Sequence, residues 1–383
     1  MLNERLQRMR NKLFDSRPCI TAERLVLATE AYRKYAGDAV PIFRAEVVKY
    51  IMDHMTTLIM DDELIVGTPT NKYRGANLHP EFQSSTEFYL AELDQFAQRT
   101  KDPYDISDED KALIRETLPY WRGKAMQDMA KTALPAGILE RIHDDIITVG
   151  LTNGVSGETT CDHEKLLRVG LKGYMEECQR NIDALLPHSQ LDQEKIDFWR
   201  ACIIQCQGLI DYAHRMGDEA ARQAAACSDE KRKQELLTVA ENCRVVPENP
   251  PQNFWQALQL VWFVHVYFHI EVCTTANGFG RFDQYMWPYY KKDVLEDKTL
   301  TADEALELLE CFYLKCCEVF EVRDKWYATS FAGYPMWELL VVGGQTPDGK
   351  DASNALSYVC LEAASELKTT QPVMAVRVWS GTP

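Results

Sequence analysis

The stretch that decides the fold begins Leu339-Leu340-Val341-Val342-Gly343-Gly344-Gln345 and ends Pro372-Val373-Met374-Ala375-Val376-Arg377-Val378-Trp379. The first run is short, continuously apolar and closed by glycines, which fits a strand buried on both faces. Pro347-Asp348-Gly349 supplies a turn. A helical pattern follows from about Ser353 to Leu367. The last run is rich in β-branched residues and reads as a second strand. Strand, helix and strand in roughly 40 residues make a βαβ unit. Its strands are therefore parallel, want helices on both faces and are joined by a right-handed crossover.

Outward from this unit, toward the N-terminus, residues 1–330 read mainly as helix, leaving 331–383 as the βαβ part. Thr21 with Glu23 predicts an N-capped helix running to about Tyr35. Ser107 and Asp110 open another, which Pro119 ends or kinks. Helical periodicity covers 162–186 and 192–226. Thr301 with Glu304 fits a capping box, and Ala305, Leu309, Phe312, Cys316 and Phe320 form one buried stripe behind it. The apolar run Leu258–Ile270 contains Gln259, His265 and His269 and is shorter than the roughly 20 residues of a membrane span. It reads as a buried helix. A long helical region feeding only a βαβ unit leaves a sheet edge and apolar faces uncovered. The expectation is a sheet that continues beyond these residues.

The composition is that of a globular protein, 46% hydrophobic and 26% charged over 383 residues. With 42 basic and 58 acidic side chains the net charge is −16, which argues against nucleic acid or an anionic membrane surface as a partner. The N-terminus Met1–Phe14 is charged and amphipathic, unlike a secretory signal. The 12 cysteines form no Cys-x-x-Cys pair, and a reducing cytoplasm with free thiols is the simplest reading.

Several stretches carry a resemblance. Asp62-Glu63-Leu64-Ile65-Val66-Gly67, Gly280-Arg281-Phe282-Asp283-Gln284-Tyr285-Met286, Phe331-Ala332-Gly333-Tyr334-Pro335-Met336 and Gln371-Pro372 through Trp379 resemble, in order and spacing, the pyruvate formate-lyase domain of glycyl radical enzymes. The sequence is most similar to the B12-independent glycerol and propanediol dehydratases. The resemblance spans the whole chain. It implies an α/β fold, a large helical N-terminal region leading into the first strands of a ten-stranded barrel built from two half-barrels. It also implies a chemistry. A glycine radical, installed by a radical S-adenosylmethionine activating enzyme with a [4Fe-4S] cluster, passes to a loop cysteine. The thiyl abstracts a hydrogen atom from a small polar substrate, and a neighbouring C–O, C–N or C–S bond breaks. The family further implies a homodimer. These residues contain neither the family's Gly-Cys-x-Glu loop nor its Arg-Val-x-Gly-Tyr loop. Cys273 and Cys316 lack that context, so no catalytic residue is assigned, and the chain alone is expected to be inactive. The alternatives are a formate C-acetyltransferase, and a non-catalytic half of a split enzyme or scaffold.

The resemblance also marks substrate-contacting positions. The diol dehydratases bind a substrate hydroxyl with a histidine in a Gly-His turn. The matching Ser156-Gly157-Glu158-Thr159-Thr160-Cys161 puts Glu158 there. A carboxylate can accept the same proton if burial raises its pKa, or attract a cationic substrate. The bland alternative is a surface glutamate. Thr275 and Ala276 match a His-Ser pair of the diol dehydratases, so a diol would be held differently, and a substrate other than glycerol or propanediol is expected. Tyr334 and Trp337 are the aromatic candidates, with Trp337 narrowing the pocket or simply packing. His265 and His269 share a helix face near Glu271, a spacing that can bind zinc. No metal is expected, because the pair lacks a third ligand and an open position. Arg281 and Asp283 are expected to pair with each other. Asn277–Gly280 is no phosphate loop, since no Lys-Ser or Lys-Thr follows.

Overall fold

The computed structural model describes residues 2–82, 86–135, 137–144, 146–147 and 157–383. Its strands among these residues are β1 (Cys19–Thr21), β2 (Gly75–Asn77), β3 (Gly280–Arg281), β4 (Phe320–Glu321), β5 (Leu339–Gly343) and β6 (Val373–Arg377). The βαβ unit forms as expected: β5 and β6 flank the helix Ala355–Leu367 and pair in parallel from Leu339↔Val373 to Gly343↔Arg377. The sheet is wider than expected, because β3 pairs with β5 through Gly280↔Leu340 and Arg281↔Val341. A second parallel sheet, β1-β2-β4, lies inside the region read as helical. Its strands are two or three residues long, too short to show a period of two.

β5 is covered more fully than β6, in line with the expected uncovered apolar faces. Val373 and Val376 stay 38% and 47% exposed, whereas Leu340 and Val342 of β5 are buried. Arg281 and Asp283 depart from expectation. Each is directed to the end of β5: Arg281 Nη2 donates to the carbonyls of Gly343 and Gln345 at 3.0 Å each, and Asp283 Oδ2 accepts the Gly343 N–H.

Most helix ends follow local rules. Ser107 caps Asp108–Thr117, Ser189 caps Gln190–Ala226, and Thr301 with Glu304 makes the full capping box of Ala302–Cys316. Thr21 does not cap. It is buried at the end of β1, and the helix Glu23–Lys34 starts after Ala22, whose N–H is taken by Asp110 Oδ1 at 3.0 Å. The helix His163–Ala184 is interrupted at Gly170 (φ 64°), where Leu171 and Lys172 donate to Pro247 and Glu248 carbonyls at 2.9 and 3.0 Å. A Cβ on Gly170 would lie 2.5 Å from the Glu248 oxygen.

The helix Phe254–Glu271 runs through the core, buried on nearly every side. Its polar groups have partners, as burial demands. Gln259 holds both backbone groups of Val66, at 2.9 and 2.7 Å, and Trp262 Nε1 donates to the Gly67 carbonyl at 3.0 Å. No described helix is long and apolar enough to cross a membrane.

Several buried charges are paired. Lys315 Nζ lies 2.5 Å from Glu63 and 2.6 Å from Glu318. Arg24 holds Glu81 at 2.6 Å, and Arg44 bridges Glu81 and Glu271.

Candidate functional site

The segment from Cys273 to Phe279 leaves the core helix and enters β3. It is hydrogen-bonded along both edges. On one side Gly157 N–H donates to the Cys273 carbonyl (2.8 Å), Thr275 N–H to the Gly157 carbonyl (3.1 Å) and Gly278 N–H to the Thr159 carbonyl (2.9 Å). On the other, Ala276 N–H donates to Met336 (2.6 Å) and Phe279 N–H to Leu339 (2.8 Å). Three stretches distant in sequence thus form one seam, 157–160, 273–279 and 336–339. Gly157 allows the close approach, since a Cβ there would meet Val272 at 3.1 Å.

The seam brings together Glu158, Thr275, Ala276 and Trp337. Ser156 lies outside the described residues. Glu158 is exposed, Thr275 is buried at 4% and Ala276 is half-buried. Ala276 (φ 55°), Tyr334 (φ 53°) and Trp337 (φ 53°) all adopt the left-handed region without being glycine. Such residues cost roughly 1–2 kcal/mol each and concentrate at functional sites. Trp337 is 36% exposed and meets Tyr327 and Phe331 edge-on, at 6.0 and 5.5 Å between ring centres. Tyr334 turns to other partners. Its hydroxyl donates to the Pro103 carbonyl, its ring packs on Tyr104 and Phe320, and Asp102 accepts the N–H groups of Gly333 and Tyr334. Its visible work is to fix the approach to the seam.

Beneath the seam lie groups that sequence reasoning did not single out. The Cys273 thiol donates to the Glu321 carboxylate, which also accepts the Thr274 N–H. Burial pushes the Glu321 pKa up to about 7, against the pull of Arg323 at 3.7 Å. A carboxyl poised there can hold or release a proton near neutrality. Nothing local in the sequence ties Glu321 to Cys273; the β1-β2-β4 sheet does.

The histidine pair is also resolved differently. Glu271 is drawn off to Arg44, at 2.9 Å. The carboxylate that reaches the pair is Glu338, at the start of β5. His265 Nε2 lies 2.8 Å and His269 Nε2 3.3 Å from its Oε1, and the imidazole nitrogens are 3.3 Å apart. His265 Nδ1 lies 3.1 Å from the Asn277 amide, which joins this cluster to the seam. All of these residues are buried. Burial pulls the His265 pKa down to about 3, lowers that of His269 and raises that of Glu338. His163, stacked on Tyr285 at 5.0 Å, is likewise brought to about 4 by burial.

Comparison with known proteins places this geometry. The pyruvate formate lyase-like family matches residues 2–383. Isethionate sulfite-lyase of Oleidesulfovibrio alaskensis is 34% identical over 100% of this chain and 47% of that protein. The structure of the B12-independent glycerol dehydratase of Clostridium butyricum, with glycerol bound, is similar with a TM-score of 0.95. It is 35% identical, over 100% of this chain and 48% of that one. A glycyl radical enzyme from Archaeoglobus fulgidus gives 0.92 at 30% identity, over 99% of this chain and 48% of that one. The chain spans about half the length of the relatives it matches. With its helical framework and parallel β3-β5-β6 sheet, it shares the α/β architecture of these enzymes over that half. It belongs to the pyruvate formate lyase-like family of glycyl radical enzymes.

Proposed function

We propose that these residues are the N-terminal part of a glycyl radical lyase that cleaves a C–S or C–O bond of a small polar, hydroxylated substrate, and that the seam forms one wall of its pocket. In this reading residues 1–330 are the helical part of the pyruvate formate-lyase domain and 331–383 its first βαβ unit. The cysteine and glycine loops of the radical relay would come from outside these residues. A radical S-adenosylmethionine activating enzyme installs the radical, and the working form is a cytoplasmic homodimer.

The observation that carries this reading is the seam itself. It joins three separated stretches, and two non-glycine residues in the left-handed region, Ala276 and Trp337, lie on it. Isethionate sulfite-lyase among the relatives supports C–S cleavage, and the glycerol dehydratase supports C–O cleavage. Thr275 and Ala276 offer a single side-chain hydroxyl between them, which disfavours a substrate that must be gripped at several hydroxyls.

The test is an anaerobic assay of the activated natural polypeptide, preceded by its intact mass. Sulfite release from isethionate, or dehydration of another small hydroxylated compound in preference to glycerol and 1,2-propanediol, is the expected result. Efficient aldehyde formation from glycerol would overturn the substrate assignment. Acetyl transfer from pyruvate to coenzyme A would overturn the lyase assignment. The 383 residues alone should show no turnover.

A further inference from the structure

We propose that His265, His269 and Glu338 form a binding site for one zinc-class divalent metal ion. The site is separate from the radical chemistry proposed above, so either proposal can fail without the other.

The argument starts from spacing. Residues four apart on a helix lie one above the other on the same face, so His265 and His269 aim their rings to one side of the core helix. Glu338 comes from a different element and is fixed on both sides. Its N–H is held by Gln371 Oε1 at 3.0 Å, and its carbonyl accepts the Val373 N–H at 2.7 Å. The possible ligand atoms form a triangle with edges of 2.8, 3.3 and 3.3 Å. A tetrahedral ion with ligands about 2.0–2.1 Å away sets its ligand atoms roughly 3.3 Å apart. Two edges already have that length, and only the His265–Glu338 edge must open, by about half an ångström.

The surroundings fit as well. His265 is stacked between Trp262 (5.3 Å, 29°) and Phe279 (4.7 Å, 27°), which leaves its ring little freedom. The Asn277 amide nitrogen lies 3.1 Å from its Nδ1, so the ring is held from that side as well.

Charge supplies the independent observation. Glu338 is 0% exposed, and its Oε2 has no hydrogen-bond partner among the described residues. The groups facing its Oε1 are the two imidazoles, at 2.8 and 3.3 Å. A fully buried carboxyl oxygen without a hydrogen bond is costly, and a divalent ion at the centre offsets that cost. Two imidazoles and a carboxylate select zinc or cobalt over magnesium or calcium. These three side chains fill three corners of a tetrahedron and leave the fourth to a small ligand such as water. A bound ion would tie the core helix to the start of β5 and, through Asn277, brace the seam.

The natural polypeptide, purified without added metal, should be given zinc or cobalt(II), desalted and analysed by elemental mass spectrometry and visible absorption. The expected result is one zinc per chain surviving desalting, and the d–d absorption of tetrahedral cobalt(II), abolished by zinc. His269→Gln and Glu338→Gln should each weaken zinc binding by about tenfold or more, while His214→Gln on another helix leaves it unchanged. A folded wild-type protein that retains no zinc and gives only the octahedral cobalt spectrum overturns the proposal. So does undiminished zinc binding in both variants. The cobalt spectrum needs no variant, so the answer does not depend on either substitution folding.

Discussion

Asp283 Oδ2 accepts the backbone N–H of Gly343 at 2.7 Å, so a residue just past β3 fixes the far end of β5. The same oxygen accepts the Ser357 hydroxyl, from the crossover helix. One fully buried carboxylate therefore joins strand, strand and helix of the sheet. Asp283→Ala would leave a buried N–H and hydroxyl unsatisfied, at a cost of about 2–4 kcal/mol. Urea unfolding should show that loss in the midpoint with an unchanged slope.

Lys315 is the cation shared by Glu63 and Glu318, and all three are nearly or fully buried. Lys315→Met should destabilise by about 3–5 kcal/mol, because it strands two carboxylates together. Adding Glu63→Gln and Glu318→Gln to that variant should recover much of the loss. Comparing the single and triple variants by thermal unfolding tests this. Equal melting temperatures would show that the carboxylates were never the problem.

Glu310 is 2% exposed, and its pKa is pushed from 4.5 to about 8 by burial and then by Glu366. A raised carboxyl pKa means the folded chain keeps a proton that the unfolded chain has released. Stability should therefore be greatest below pH 4.5 as far as this group is concerned, fall through the window from there to about 8, and level off above it. Glu310→Gln should flatten that window and stabilise the chain at pH 9 by up to about 3 kcal/mol. Denaturation of both proteins at pH 5 and pH 9 gives the comparison. A gain of equal size at both pH values would count against it.

Gly170 interrupts its helix in the left-handed region, with Glu248 and Asn249 backbone against it. Gly170→Ala combines a positive-φ penalty with a contact at 2.5 Å to a carbonyl oxygen, and should cost more than about 2 kcal/mol. At Gly123, also at positive φ (72°) but facing open space, the same change should cost only about 1 kcal/mol. The difference between these variants in thermal unfolding isolates the clash.

The βαβ unit was legible in the sequence because its signals are local: a five-residue strand, a glycine pair, a turn and a β-branched run. The Thr301–Glu304 box is legible for the same reason. The β1-β2-β4 sheet was not, because two or three residues carry no alternation. Thr21 looked like a cap because the rule weighs neighbours in sequence, whereas Asp110 meets Ala22 only after folding. At the seam, the resemblance marked Thr275, Ala276 and Glu158, which the structure does bring close. It could not reveal Glu321 under Cys273 or Glu338 beside His265, since each partner arrives from a separate strand. Arg281 and Asp283 were read as partners because they are adjacent in the chain. Strand twist and backbone groups of β5 gave each something better to bind.

Gln259 has one more consequence. Its side-chain amide meets the N–H and C=O of Val66 as a neighbouring strand would, at 2.9 and 2.7 Å. Val66 lies in a segment with no regular structure, yet its amide proton is closed off by a side chain of the core helix. In deuterated solvent it should exchange as slowly as the amides of that helix, since it opens only when the helix leaves. A connecting segment would then report the global unfolding clock of the protein, and Gln259→Ala would set it ticking locally.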